Sequence, residues 1–182
     1  MNSETDFQLI REFLNGDTSA FNKIASKYQK NIYWLARRML GNHLDADEIT
    51  QEVLITIYRK LHSFKFNSSL FTWIYKITST RSINLLNKKK MRRFISLEDT
   101  NPSEFTSRDV IINRIENKEK LEKLDEVLMK IPIKQRQVFI MRQLEELSYE
   151  EISKIVGKSI GGLKANYHHA LKKIMEMMDE KE

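Results

Sequence analysis

Residues 148–174 read SYEEISKIVGKSIGGLKANYHHALKKI. Ser148 with Glu151 three positions later is the spacing of a capping box, in which hydroxyl and carboxylate each satisfy a free amide at a helix start. Ile152 and Ile155 extend that helix, and Gly157 supplies the residue that ends it. Ser159 can cap a second helix running to about residue 178. Its Leu163, Tyr167, Ala170, Leu171 and Ile174 fall on one apolar side, while Lys164, Ala165, His168, His169 and Lys172 face outward. Two helices joined by so tight a turn have the spacing of a helix-turn-helix. Residues 153–175 contain five lysines and no acid, so the outward face can neutralise phosphates, and small residues near its start let a backbone approach a major groove. A pair of this kind can also serve only as a packing motif. His168 and His169 are adjacent, without a Cys or carboxylate at ligand spacing, and no metal site is expected.

The rest of the chain has the same helical character. Among 182 residues there are five glycines, two prolines and no cysteine, which with apolar residues recurring at threes and fours predicts an all-α protein without disulfide or thiolate chemistry. The N-terminal residues are polar and acidic, unlike a secretory signal, and no run of about 18 apolar residues occurs. A soluble, cytoplasmic protein is expected. Residues 94–112 are rich in Ser, Thr, Asp and Pro102 with little apolar periodicity, and read as a flexible linker between two small helical domains, 1–93 and 113–182. In the second domain Leu121, Leu124, Leu128 and Ile131 mark a helix stopped at Pro132, and Val138, Phe139 and Met141 belong to another over about 134–144. In the first, a segment at 7–14 ends at Asn15-Gly16-Asp17. A helix opened by Thr18 or Ser19 carries Phe21, Ile24, Ala25, Tyr28, Ile32, Leu35 and Met39 up to Gly41. Asp45 with Glu48 suggests a capping box with Asp45 as N-cap, ahead of a stripe of Ile49, Val53, Ile57 and Leu61; residues 62–69 read as a loop.

The formal net charge is +6, but residues 64–95 alone hold eight Lys or Arg and no acid. Such a concentration points to a polyanion-binding surface. Within it, a helix from about residue 70 places Phe71, Ile74, Tyr75, Thr78, Ser82, Leu85 and Leu86 on one side. Trp73 lies on the other with Lys76, Ile77, Thr80, Asn84, Asn87 and Lys88, and Arg92 extends the cationic end. An indole among hydroxyls, amides and ammonium groups suits an unpaired strand, whose bases stack on the ring while cations hold the phosphates. The preceding loop, with Phe64, Lys65, Phe66, Asn67 and Ser68, offers aromatics and short polar groups for an extruded base. Packing of Trp73 against a neighbouring helix is the alternative. Asp45, Asp47, Glu48 and Glu52, with Gln51 beside them, form an acidic cluster that can compensate a helix dipole or meet a basic protein partner. A two-metal nuclease would also use carboxylates, but these all come from one helix start.

DADEITQEVLITIYRKLHSFKFNSSLFTWIYKITSTRSINLLNKKK (45–90), within residues 20–93, resembles the second conserved region of bacterial extracytoplasmic-function sigma factors. LMKIPIKQRQVFIMRQLEELSYEEISKIVGKSIGGLKANYHHALKKI (128–174) resembles their fourth region. The resemblance implies a promoter-specificity subunit of RNA polymerase, with no enzymatic activity or cofactor of its own. Its implied partners are core RNA polymerase, promoter DNA and an inhibitory anti-sigma factor, and the chain is expected to act as a monomer. By the same resemblance, Asp45, Asp47, Glu48, Gln51 and Glu52 match the segment that docks on the coiled coil of the polymerase's largest subunit. The loop at 64–70 and Trp73, Thr80, Arg81, Asn84 and Lys88 match the part that opens and reads the −10 element. Lys158, Ser159, Lys164, Asn166, His168 and His169 match the recognition helix for the −35 element. The chain departs from the family pattern at Glu146, where glycine is usual, and in its Gly161-Gly-Leu-Lys-Ala-Asn166 run and His169, where more permanent cations are common. A helix-turn-helix regulator that acts without polymerase is the alternative reading.

Overall fold

The structure, a computed structural model, describes residues 3–95 and 115–179. Its helices are α1 (Ser3–Leu14), α2 (Ser19–Leu40), α3 (His43–Lys60), α4 (Leu70–Ile95), α5 (Ile115–Lys130), α6 (Ile133–Phe139), α7 (Tyr149–Val156) and α8 (Ile160–Asp179). A 3-10 turn at Leu61–Ser63 follows α3, and α6 continues as a π-helical stretch at Ile140–Leu144. No strand occurs among the described residues, as the all-α reading expects. Helix α4 runs through Ile95, two residues into the expected linker; the rest of that linker lies outside the described residues.

The apolar stripes bury as their spacing requires. Ile24, Tyr28, Ile32, Leu35 and Met39 of α2 meet Ile49, Val53 and Ile57 of α3 and Leu70, Ile74 and Tyr75 of α4 in one core. Each large side chain fully removed from water contributes roughly 1.5–3 kcal/mol before entropy is counted. Helix α1 is fixed onto this bundle by Asp6, a carboxylate only 2% exposed that accepts hydrogen bonds from the Tyr28 hydroxyl at 2.6 Å and Lys27 Nζ at 2.5 Å. Gly41 ends α2 in the left-handed conformation at φ 78°, its amide donating to the Arg37 carbonyl. At the next helix start the expected cap is corrected. Helix α3 begins at His43, with Asn42 as its N-cap, and Asn42 Oδ1 accepts the Asp45 amide at 3.0 Å. Asp45 is thus the third helical residue, and its carboxylate accepts Asn42 Nδ2 at 2.7 Å. An asparagine donates to that carboxylate where a second acid could not.

In the C-terminal half, the Ser148–Glu151 capping box is present in both directions, and Gly157 closes α7 at φ 69°. Leu163, Ala170 and Ile174 of α8 join Val138, Phe139, Ile152 and Ile155 in the core. The two halves are packed against each other through polar groups. Glu145 accepts Arg38 at 2.7 Å and the Tyr75 hydroxyl at 2.6 Å. Gln137 donates to Ser79 Oγ at 2.5 Å, and both are buried. Arg136, 5% exposed, donates to the carbonyls of Met39, Met129 and Ile131 at 2.6, 3.0 and 3.2 Å. The carbonyls at the ends of α2 and α5 carry partial negative charge, so they can hold a buried cation that has no carboxylate partner among the described residues. Burial lowers its pKa to about 10, and the group remains charged at neutral pH.

Candidate nucleic-acid interface

Ser69 starts α4, its Oγ accepting the Thr72 amide at 3.1 Å and its carbonyl the Trp73 amide at 3.2 Å. The helix then divides as its periodicity requires. Phe71, Ile74, Tyr75, Thr78 and Ser82 are buried, Leu85 and Leu86 half-buried, and Lys76, Thr80, Asn84, Asn87, Lys88 and Arg92 exposed. Short hydroxyls fit the buried side because they fold back on their own helix: Thr78 Oγ1 donates to the Ile74 carbonyl and Ser82 Oγ to that of Thr78, both at 2.9 Å.

Trp73 combines the two readings that its position allowed. It is half-buried, with one face of its surroundings supplied by Phe64 at a centroid distance of 5.5 Å and 66° between the rings. The indole is therefore held in place and still borders the exposed strip. In the loop before it, Phe64 is buried, Lys65, Phe66 and Asn67 are exposed and Ser68 is half-buried. Phe66 has a left-handed backbone, φ 57°, and touches Phe64 edge-on at 5.1 Å and Phe7 at 5.2 Å. Neither the strained residue nor its partner on α1 was visible in the sequence, because no glycine marks the turn and the two phenylalanines are far apart in the chain.

Helices α3 and α4 bring two groups of expected site residues together. Arg81 donates to Glu52 Oε2 at 2.5 Å and to Thr56 Oγ1 at 2.7 Å, and Lys89 pairs with Asp45. The acid-free block of the sequence thus draws part of its counter-charge from α3. Asp47 lies 3.1 Å from His43 Nε2, whose Nδ1 is 2.8 Å from the Tyr33 hydroxyl. Glu48 and Gln51 are exposed on the same helix, beside Leu44 and Ile55, which are 78% and 51% exposed. A surface of carboxylates and bare aliphatics suits a basic protein better than a nucleic acid.

Lys158 and Ser159 in the turn, and Lys164, His168, His169 and Lys172 on α8, are exposed. Ser159 Oγ accepts the Gly162 amide at 3.3 Å, and Ser153 Oγ closes the turn by donating to the Lys158 carbonyl at 2.7 Å. Asn166 is half-buried and its Nδ2 donates to the Gly162 carbonyl at 2.8 Å, so its amide is engaged by its own helix. Tyr149 sits under Lys164 Nζ at 5.8 Å and Arg142 at 5.3 Å, which positions both cations near the turn. Among the described residues no group of three His, Cys, Asp or Glu could hold a metal ion, and no helix is long and apolar enough to cross a membrane.

Residues 24–92 match the Sigma-70 region 2 family and residues 121–174 the Sigma-70, region 4 family. The chain is 30% identical over 166 residues to the ECF RNA polymerase sigma factor SigW of Bacillus subtilis, covering 87% of this chain and 89% of that protein. It is also 30% identical over 173 residues to the ECF RNA polymerase sigma-E factor of Escherichia coli K12, covering 91% and 90%. Two solved structures share the fold at TM-scores of 0.72 and 0.69. They are CnrH in complex with the cytosolic domain of CnrY (15% identical, 98% of this chain and 99% of that one) and the sigma factor RpoE in complex with the anti-sigma factor NepR from Bartonella quintana (19%, 89% and 98%). Two regions matched in order, and relatives similar over nearly their full length, make this chain a member of the extracytoplasmic-function RNA polymerase sigma factors.

Proposed function

We propose that this sigma factor divides promoter recognition among three surfaces of its own helices. The exposed face of α3, centred on Glu48 and Gln51 with Asp47 at its edge, meets core RNA polymerase. Trp73 and the strip of Lys76, Thr80, Asn84, Asn87, Lys88 and Arg92 hold a strand separated at the −10 element, with Lys65, Asn67 and Ser68 at an extruded base. The turn and first half of α8, through Lys158, Ser159, Lys164, His168, His169 and Lys172, read the −35 element. Arg81 and Asn166 join them on leaving Glu52 and the α8 backbone. The observation that carries this reading is the α4 strip: polar, cationic and exposed beside an indole held at its edge, while Asp45 and Glu52 engage cations at its flank.

The chemistry of RNA synthesis then belongs to the polymerase and not to this chain, which acts as a monomer in the cytoplasm without a cofactor. The complex of the sigma factor RpoE with the anti-sigma factor NepR supports an anti-sigma factor as its regulator. A regulator working without polymerase would leave the exposed acidic face of α3 without a role. Trp73→Ala tests the division of labour, since a stacked base is worth roughly 1–3 kcal/mol. In a holoenzyme reconstituted with core polymerase, permanganate footprinting is expected to show promoter opening slowed by at least about fivefold, with binding to closed duplex changed less than twofold; equal losses in both would refute the stacking role.

A further inference from the structure

Helix α1 lies outside both matched regions, yet it reaches the loop assigned above to an extruded base. Its placement is determined by chemistry one residue away: the buried Asp6 carboxylate holds α1 on α2 through Tyr28 and Lys27. That fixes Phe7 against the loop, 5.2 Å from Phe66 at 74° and 6.3 Å from Phe64 at 47°. Phe64 in turn meets Trp73. Four rings therefore run in series from α1 to the strip on α4.

Phe66 is the informative member. A bulky side chain at positive φ is rare and persists only where its surroundings over-determine it. Here the surroundings are two rings, Phe64 from the loop itself and Phe7 from outside. Lys65 and Asn67, the exposed polar residues on either side of Phe66, take their positions from that strained turn. An amide can discriminate base edges only if it is held still, because a mobile group finds partners on several bases.

We propose that Phe7 is a positioning residue for base selection: by bracing Phe66 it fixes the loop at 64–69, so that the preference for one unpaired base of the −10 element depends on α1. This rests on the function proposed above and names the residue that gives one of its surfaces its selectivity.

The test uses the full chain in holoenzyme, a promoter selected by the wild-type holoenzyme from a randomised library, and premelted versions of it carrying each of the four bases in turn at every unpaired −10 position. Dissociation half-lives give the preference. With Phe7→Ala, discrimination at one position is expected to fall on the order of tenfold, the size of a single specific base contact, with other positions and core affinity unchanged. Phe7→Tyr, which keeps the ring, is expected to retain it. Phe7→Leu keeps apolar bulk without a ring and is expected to behave as Phe7→Ala; it also serves if the alanine variant loses helical circular dichroism. Uniformly shortened half-lives with every base preference intact in the Phe7→Leu holoenzyme would overturn the proposal by showing a merely structural role. If the wild-type holoenzyme opens no promoter, the sigma reading itself falls, whereas opening with an unaltered preference in both variants removes Phe7 alone.

Discussion

Glu146 shows what a single residue can conceal. It stands at φ 55°, between the end of the π-helical stretch and the cap of α7, in a backbone conformation that glycine adopts without strain. The chain turns through the left-handed region here as Leu147 enters the core, where it is 7% exposed. A side chain with a Cβ is strained by roughly 1–2 kcal/mol in that region, partly offset because glycine makes the unfolded chain freer. Glu146→Gly is accordingly expected to raise the unfolding free energy by up to about 1 kcal/mol in urea titrations, and a loss of stability would contradict the strain. Signals confined to three or four residues were legible in the sequence. Ser148 with Glu151, and Gly157 after α7, form as their types and spacing require. Asn42 and Asp45 are both good N-caps and stand three residues apart, so side-chain type alone could not choose between them. Phe66 was illegible for the opposite reason, since nothing in a phenylalanine announces positive φ.

Periodicity carried the helices themselves, because a stripe repeating at 3.6 residues needs only a partner surface, not a named partner. It therefore sorted most of α4 and α8 into buried and exposed faces, but Trp73 and Ile77, on the polar side of α4 by periodicity, are half-buried against the core, as are Tyr167 and Leu171 on the apolar side of α8. It could not foresee that Arg81 answers Glu52, 29 residues earlier, or that α6 would widen into a π turn at Ile140–Leu144. On α8 the exposed face leads to two expectations. Lys164→Ala is expected to lower the slope of log affinity against log salt by about one for −35 duplex binding, and an unchanged slope would remove Lys164 from the interface. Gly161, in the first turn, has open space where a Cβ would lie. Gly161→Ala is expected to stabilise the free protein by about 0.5–1 kcal/mol, while weakening −35 binding if the bare backbone is what approaches the groove.

At the scale of the molecule, the two halves meet through groups 58 to 107 residues apart, which no local pattern encodes. Tyr75 links them to pH. Burial first, and then its hydrogen bond to Glu145, push its pKa well above the ordinary tyrosine value; Tyr28 is raised by burial and by Asp6. The unfolded chain loses these protons near pH ~10 while the folded chain keeps them. Their contribution is therefore complete below about pH 10 and declines as pH rises, by roughly 1.4 kcal/mol per tyrosine at pH 11. Tyr75→Phe is expected to be less stable than wild type at pH 8, with the gap narrowing towards pH 11; parallel curves would contradict the linkage. Arg136, shifted the other way, acts alike in both proteins and cancels from the comparison. The central claim is that this chain gives core polymerase a choice of start site, and in vitro transcription from a randomised duplex library by core enzyme with and without it tests that most directly. The account predicts RNA from templates sharing two spaced elements, lost with a folded Glu48→Lys chain that no longer binds core. Template use identical with and without the wild-type chain would contradict it.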